Sequence, residues 1–461
     1  MFRPLRGAPA FSPRVDAVCI GSGRFLRAVL VPTLRALGSG VVVAQTRGTS
    51  FSTACAAARG EYEVDVIHPD GRVETEVIEL EGDDRIDHIV SYSSIRTDSA
   101  GSLGVEEERA AFLELPSKLS TLRYVGFGVT EAGLTKDSQA MLDLSEFLYQ
   151  AFLSIPDNSI SVINTDNCPS NGDLIKSFVL SSRWATGSNG AAFRAYLSSK
   201  VHFHNTMVDR LTTHRQGDQL VPLTEPWPTK AIAIEDLNGV LNAPAWRALP
   251  GVHIRTLHGQ MELDHVMKFC LGNAVNSAMV YLLAVSRQRT ANRFQDFPVI
   301  RQYLDLLFEN DILPSLVVRG IDAEGARQFC DEWIVRMEHP HFGLDNFWVA
   351  QNPMLRYQVR LFVSVVANVK SNPEYRPSVF FSFATAVMLR YLTPVQSKVD
   401  EAGVYVGSMD LINDPTLSQV HTNQMWEYDV GLTANLSTGK YEFKDDKGGQ
   451  IGRTLYKAAH S

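Results

Sequence analysis

Residues 17–28 read Ala17-Val18-Cys19-Ile20-Gly21-Ser22-Gly23-Arg24-Phe25-Leu26-Arg27-Ala28. Four apolar residues run into a G-S-G turn, and an apolar-periodic helix pattern opens directly behind it. In this strand, turn and helix context, glycines let a pyrophosphate approach backbone N–H groups at a helix N-terminus. The third position of the usual fingerprint is Leu26 rather than glycine. A second apolar run, Val41–Ala44, follows at the distance of a returning parallel strand. No acid lies between Val41 and Gly60 to hold a ribose hydroxyl; Gln45-Thr46-Arg47 stands there instead, offering an amide for a hydroxyl and a cation for a 2′-phosphate.

Further short apolar runs extend the pattern: His88–Tyr92, Tyr124–Val129, Ser159–Ile163 and Ala231–Ile234. Alternating with helical stretches, they predict a doubly wound α/β domain. After about Pro250 the texture changes to long apolar-periodic segments, including Phe297–Ile312, Ala323–Val335 and the spacing Leu355, Val359, Phe362, Val366. The expected division is an α/β domain over 1–245 and a mainly helical domain over 246–461, joined through the Pro/Gly-punctuated stretch Asn242–Gly251. A length of 461 residues fits two or three domains of the usual size.

The 43 basic and 51 acidic residues leave a net charge of -8, which argues against a nucleic-acid or anionic-membrane partner. Cys19, Cys55, Cys168, Cys270 and Cys330 are odd in number and form no CxxC pair, so a disulfide framework and a structural zinc site are not expected. The simplest setting is a reducing compartment, the cytoplasm. No secretory leader or membrane span is expected.

Between Met267 and Ala284 nearly every residue is apolar, small or aromatic except Lys268, Asn273, Asn276 and Ser277. On an ideal α-helix Lys268, Asn276 and Asn273 fall at about 0°, 80° and 140°, on one side. Burying such groups unpaired costs several kcal/mol, so they are expected to face a polar cleft, a ligand or solvent. A lysine among apolar neighbours has its cation disfavoured, which suits a general base. The Asn-rich segment Asn164 to Asp173 follows a strand candidate, where α/β sheets present ligand-binding loops and where turn chemistry also uses these residues.

Taken in order along the chain, these motifs resemble the polyol-specific long-chain dehydrogenases, a family that includes mannitol dehydrogenase and the hexuronate reductases. Gly21 to Ala28 is similar to its cofactor loop G-x-G-x-F-x-R-A, and Thr130-Glu131-Ala132-Gly133-Leu134 to T-E-A-G-[IL]. Asp166-Asn167 with Asn171-Gly172-Asp173 is similar to D-N-x-x-x-N-G-D, Phe203 to Leu211 to F-x-N-[ST]-[ML]-V-D-R-I, and Glu225-Pro226-Trp227 to E-P-[FW]. Lys268 to Asn276 corresponds to K-x-x-x-x-N-x-x-H with Asn276 at the histidine, and Asn352 to Val365 resembles a hexuronate-reductase segment.

The resemblance implies a Rossmann-like amino-terminal domain, a mainly helical second domain and a metal-independent hydride transfer in a cleft between them. The substrate would be a polyol or sugar acid, and the cofactor NAD or NADP, with NAD favoured. It implies cofactor contacts from Gly21, Gly23, Arg24, Phe25, Leu26, Thr130 and Glu131, to which the strand-end reading adds Gln45 and Arg47. It makes Lys268 the general acid/base, Asn167 and Asn273 oxyanion donors, and Asn276 a hydroxyl-orienting amide. Arg210, Arg356 and Arg360 are candidates for binding a substrate carboxylate. His265 stands where mannitol dehydrogenases carry a glutamate, either as a relocated titrating group or as a surface histidine. A monomer or homodimer is expected. The competing expectations are a polyol-phosphate dehydrogenase of the same fold and a cofactor-binding homologue without turnover.

Overall fold

The computed structural model describes residues 15–80, 89–91, 103–129, 134–136, 138–166, 168–286, 288, 290–350, 356–392, 396–399, 405–408, 432–435 and 440–443. The chain divides into two compact units, Met1–Glu262 and Leu263–Ser461.

The first unit is organised by a six-stranded parallel sheet. Its strands are β1 (Val15–Ile20), β2 (Gly40–Gln45), β5 (Ile89–Ser91), β6 (Tyr124–Phe127), β7 (Ile160–Asn164) and β8 (Val201–His204), in the spatial order β5-β2-β1-β6-β7-β8. All five pairings are parallel. Counting only these strands the order is 3-2-1-4-5-6, the doubly wound arrangement, and the order reverses between β1 and β6. β1, β2, β6 and β7 read as largely apolar runs because both faces are covered, whereas β8, Val201-His202-Phe203-His204, is only partly buried. Val18, Ile20, Val42 and Ala44 pack on one side with helices Leu103–Lys118 and Gln139–Ser154, while Ala17, Cys19, Val41 and Val43 pack on the other with residues 26–34. Neighbouring residues alternate between the two cores, as the strand period of two requires.

Five of the six strand candidates lie in this sheet. The sixth, Ala231–Ile234, is the core of β12 (Ile232–Glu235), which pairs antiparallel with β9 (Thr206–Val208) and parallel with β13 (Val252–Arg255) in a separate three-stranded sheet. The sixth parallel strand is instead β8, whose last two residues open the F-H-N-T motif. A further four-stranded sheet joins the hairpin β3 (Glu61–Ile67) and β4 (Val73–Glu79) to β10 (Thr212–Arg215) and β11 (Asp218–Thr224).

The stretch expected as a linker is structured. Ala243–Arg247 is helical and fully buries Trp246, whose ring meets Tyr124 edge-on at 5.8 Å. The first unit therefore runs past residue 245 to Glu262, because β13 is hydrogen-bonded into its sheet.

The second unit is mostly helical over Leu263–Leu392, with helices at Pro298–Leu307, Ala323–Met337, Val363–Ser371 and Val379–Leu392 around the helix Gln260–Val285. Two short antiparallel hairpins follow, β14 (Gln396–Val399) with β15 (Tyr405–Ser408) and β16 (Leu432–Asn435) with β17 (Lys440–Phe443). Gln260–Val285 is the one helix among the described residues long and apolar enough to cross a membrane, and 67% of its most apolar window is buried in the protein. It packs against Val379–Leu392 as a core helix does. Of the expected apolar line, Leu355 lies outside the described residues and Val359, Phe362 and Val366 are exposed within this unit, Val359 at 46%; the helix instead buries Tyr357, Leu361, Ser364 and Asn368. A wide π-turn at Tyr357–Phe362 shifts the buried face by about one residue from the regular helical period.

Candidate functional site: a glycine turn and a lysine on a wide helical turn

At the carboxyl edge of the parallel sheet, Gly21 N–H donates to the Ala44 carbonyl and Gly128 N–H to the Ile20 carbonyl, each at 2.8 Å. The turns after β1, β2 and β6 are thereby joined. Gly21 has a φ of 101°, and a Cβ there would lie 2.5 Å from the Gly128 oxygen, so the chain itself demands glycine. Gly23 is different. A Cβ there would have only an ordinary contact, 3.6 Å from the same oxygen. Among the described residues no crowding accounts for glycine at this position. Arg27 N–H bonds to the Gly23 carbonyl, so the helix begins at the turn, with the N–H groups of its first turn facing its open end.

The missing third glycine has moved across the contact. Leu26 is fully buried, and a Cβ on Gly128 would sit 2.7 Å from its Cδ1; one on Gly126 would sit 2.9 Å from Leu30 Cδ2. The close helix–strand approach that a helix glycine usually permits is here permitted by two glycines on the strand.

Residues 26–30 form a wide π-turn, and side chains from elsewhere take its carbonyls. Tyr62 Oη donates to the Arg27 carbonyl and Arg210 Nη1 to the Ala28 carbonyl, both at 2.7 Å. Arg210 also donates to the Glu225 carbonyl at 3.1 Å, lies 4.2 Å over the Trp227 ring and is 2% exposed. Burial pulls its guanidinium down to about 10, so it remains cationic at neutral pH. The structure thus places Arg210, expected as a substrate ligand, as a brace of the helix behind the glycine turn. The V-D-R and E-P-W motifs meet at this brace.

Arg24 reaches the Thr212 carbonyl at 3.5 Å, and Phe25 is half-buried against the helix-side core. Gln45 is 5% exposed and engaged at both ends of its amide: Nε2 donates to the Arg47 carbonyl at 2.8 Å, and Oε1 accepts from Ser52 N–H at 3.0 Å. Arg47 is exposed. Thr130, Glu131 and Asn167 lie outside the described residues.

The strand-end segment around position 167 is nevertheless anchored. Asn171, fully buried, donates from Nδ2 to the Asp166 and Thr206 carbonyls at 3.1 Å and accepts from Thr206 N–H at 2.9 Å. A Cβ at Gly172 would lie 2.5 Å from the His204 carbonyl, and Asp173 accepts from Asn205 Nδ2 at 2.9 Å. The N-G-D and H-N-T motifs, thirty residues apart in the chain, are two sides of one interlock.

In the second unit, the helix Gln260–Val285 contains a π-turn at Lys268–Gly272, and Asn273 N–H bonds to the Lys268 carbonyl five residues back. Such a turn absorbs one residue. Relative to Lys268, Asn273 then falls near 40° and Asn276 near -20°, instead of the roughly 140° and 80° of an unbroken α-helix. The spacing K-x-x-x-x-N thus aligns across the wide turn. Lys268 is 6% exposed, with Nζ 5.7 Å from the Phe269 ring centre. Asn276 Oδ1 is buried and has no hydrogen-bond partner among the described residues. Such an acceptor costs about 1–3 kcal/mol unless something donates to it. His265 is buried at 8% exposure beside Phe269, 5.9 Å between ring centres, and is not a surface histidine.

Arg360 joins this helix: Nη1 donates to Ser277 Oγ at 3.4 Å, and Ser277 Oγ donates to the Asn273 carbonyl at 2.8 Å. Arg356 is part-buried at the start of the wide turn Tyr357–Phe362, which carries Arg360. Cys270, inside the lysine's π-turn, accepts from Arg319 Nη1 at 3.0 Å, and burial raises its thiol pKa. The sequence carried no sign of the Arg319 contact. Gly126, in β6, and Gly128, just past its end, form a second G-x-G in the sequence.

A parallel sheet in this order, with a glycine turn at the reversal point, defines a Rossmann-type α/β unit. The model of the mannitol dehydrogenase Rossmann domain matches residues 15–248. The chain belongs to the mannitol dehydrogenase family. It is 27% identical over 192 residues to a mannitol dehydrogenase of Saccharomyces cerevisiae, a match covering 39% of this chain and 37% of that protein. The match therefore spans little more than a third of the yeast relative. Altronate oxidoreductase of Cronobacter sakazakii is 22% identical over 397 residues, 80% of this chain and 78% of that one. Among solved structures the chain resembles a D-sorbitol dehydrogenase in substrate-free form, with a TM-score of 0.66 at 16% identity, covering 85% of this chain and 82% of the other. Pseudomonas fluorescens mannitol 2-dehydrogenase, in a ternary complex with NAD and D-mannitol, gives 0.62 at 18% identity over 88% and 83%. At these identities the structural likeness speaks to the fold.

Proposed function

We propose that this protein is a nicotinamide-dependent oxidoreductase interconverting a secondary alcohol and a ketone, with a sugar acid of the hexonate and hexuronate type as substrate. The observation that carries the reading is the wide turn that aligns Lys268, Asn273 and Asn276. The relative aligned along most of both units is an altronate oxidoreductase, which supports an acidic substrate over a neutral polyol.

The glycine turn fits the cofactor, since the bare backbone at Gly23 leaves room for a pyrophosphate. When bound, a nicotinamide supplies or accepts the hydride. The protein's own residues handle the proton and the charge. Lys268 gives a proton to the carbonyl oxygen as the ketone is reduced and takes it back in the reverse direction. Asn273, and by the family motif Asn167, donate hydrogen bonds to that oxygen as negative charge builds on it. The buried Oδ1 of Asn276 accepts from a neighbouring substrate hydroxyl, and Arg360 and Arg356 provide positive charge for the carboxylate.

The test is the purified chain with NADH or NADPH and tagaturonate, fructuronate or fructose, followed by loss of reduced-nicotinamide absorbance, and with NAD or NADP and mannitol 1-phosphate, followed by its gain. Turnover confined to the hexuronates supports the reading. Turnover of fructose alone moves the substrate to neutral polyols, a phosphate-only response moves it to polyol phosphates, and cofactor binding without turnover overturns the catalytic assignment.

A further inference from the structure

The sheet edge beside the glycine turn carries a feature that points to which nicotinamide cofactor is bound. Gly21 N–H bonds to the Ala44 carbonyl, so the residues after β2 start next to the turn. A dinucleotide whose adenosine ribose bears free hydroxyls is ordinarily held there by an acid at the end of this strand. The strand here ends in Gln45, and its amide is already spent: Nε2 on the Arg47 carbonyl and Oε1 on Ser52 N–H. These two bonds close residues 45–52 into a fixed loop that holds Arg47 outward at the strand end. Gly48, with a φ of 63°, makes the reversal possible.

The charge of the segment is one-sided. From Thr46 to Gly60 the only charged residues are Arg47 and Arg59, and hydroxyls stand at Thr46, Thr49 and Ser50. The loop is also tied to the glycine turn. Arg27 donates to the Ser22 carbonyl at 2.8 Å, and its guanidinium lies 4.8 Å over the ring of Phe51, the residue after Ser50. The two loops are thus braced as one platform.

We propose that the loop Thr46–Ser50 is a 2′-phosphate subsite, so that the protein selects the phosphorylated nicotinamide dinucleotide. Arg47 is its charge partner and Gln45 the residue that positions it. This deepens the proposed function and rests on it. A carboxylate at the strand end would repel the phosphate, whereas the engaged amide is indifferent to it and the arginine attracts it. The preference for NAD suggested by the family is reversed by these residues.

The test is direct binding to the purified full-length chain by fluorescence titration with NADPH and NADH, with adenosine 2′,5′-bisphosphate and adenosine 5′-diphosphate as competitors. The expected result is that NADPH binds roughly ten- to hundredfold more tightly than NADH, the range of one charge-assisted contact. Adenosine 2′,5′-bisphosphate should compete better than the 5′-diphosphate. Arg47→Ala, at an exposed position, should fold with an unchanged melting temperature and bring the NADPH-to-NADH ratio to near one. Gln45→Leu, which keeps the Arg47 side chain but releases the loop that positions it, should reduce that ratio. Equal or tighter binding of NADH by the wild type, or an unchanged ratio in Arg47→Ala, overturns the subsite and leaves the oxidoreductase reading standing. Failure to bind either dinucleotide overturns that reading, and the subsite with it.

Discussion

Asn273 donates its backbone N–H to the carbonyl of Lys268 across five residues, where an α-helix would use four. The extra residue is what brings the two side chains onto one line. A π-turn arises when a helix accommodates one more residue than its period allows, so removing that residue should restore an α-helix without rotating the rest. Deletion of Phe269 is expected to leave the protein folded, with a melting temperature within a few degrees of wild type. Deletion of Ala278, in the regular part, rotates Met279 to Val285 by about 100° and strips their buried faces. That variant should be insoluble or lose cooperative unfolding. Equal damage from both deletions would mean that the wide turn does not absorb a residue.

Lys268→Ala is expected to lower kcat by about 10²–10⁴ while dinucleotide affinity, read by fluorescence, changes less than about threefold. Asn273→Ala should cost about 10²–10³ in kcat, the usual loss for one donor to a developing oxyanion. Asn276→His should retain at least a tenth of the activity, because the imidazole can also bond a substrate hydroxyl. A Lys268→Ala enzyme with a near-normal rate rejects the lysine as the proton-transfer group.

Much of the fold could be read from the chain because β1, β2, β6 and β7 are buried on both faces and so appear as largely apolar runs, while β8, Val201-His202-Phe203-His204 and only partly buried, did not stand out. The hairpin β3–β4 escaped notice because it is partly solvated: Val73 and Val77 are about half exposed, and acids alternate with apolar residues. Lys268, Asn273 and Asn276 stood out as polar residues in an apolar helix, but on a regular helical wheel they spread over roughly 140°. Their true alignment depends on hydrogen bonds one residue longer than usual, which leave no mark in composition. Arg210 was ambiguous for a related reason. A buried arginine that caps carbonyls of a wide turn has the same sequence appearance as one that awaits a carboxylate.

The two glycines of the first turn should respond differently to alanine. At Gly21 the positive φ and the 2.5 Å approach to the Gly128 oxygen leave no room, so Gly21→Ala should destabilise the first unit by at least about 1–3 kcal/mol, measured by urea unfolding. At Gly23 the chain tolerates a methyl group, so Gly23→Ala should unfold at the wild-type midpoint and yet bind dinucleotide at least about tenfold more weakly. Comparable loss of stability in both variants would remove the argument that the second glycine serves a ligand.

His204 makes the first unit sensitive to mild acid. It is buried, with Nδ1 2.7 Å from the Glu235 carbonyl and Nε2 3.0 Å from Ser161 Oγ, and burial holds its pKa below that of a free imidazole. The unfolded chain, with a histidine pKa near 6.5, takes up a proton that the folded chain refuses. Stability contributed by the neutral ring is therefore intact above about pH 6.5 and declines as pH falls below it, until the folded pKa is reached. The slope for one such group is at most about 1.4 kcal/mol per pH unit. His202, half-buried and shifted in the same direction by desolvation, adds a smaller share. Asp65, whose pKa the hydrogen-bonded Arg215 lowers, contributes only below about pH 4, where the unfolded carboxylate protonates, and so lies outside this window. Urea unfolding at steps between pH 7.5 and 5 is expected to show the decline in wild type and a clearly flatter profile in His204→Gln. An identical slope in the two proteins would assign the acid sensitivity to other groups.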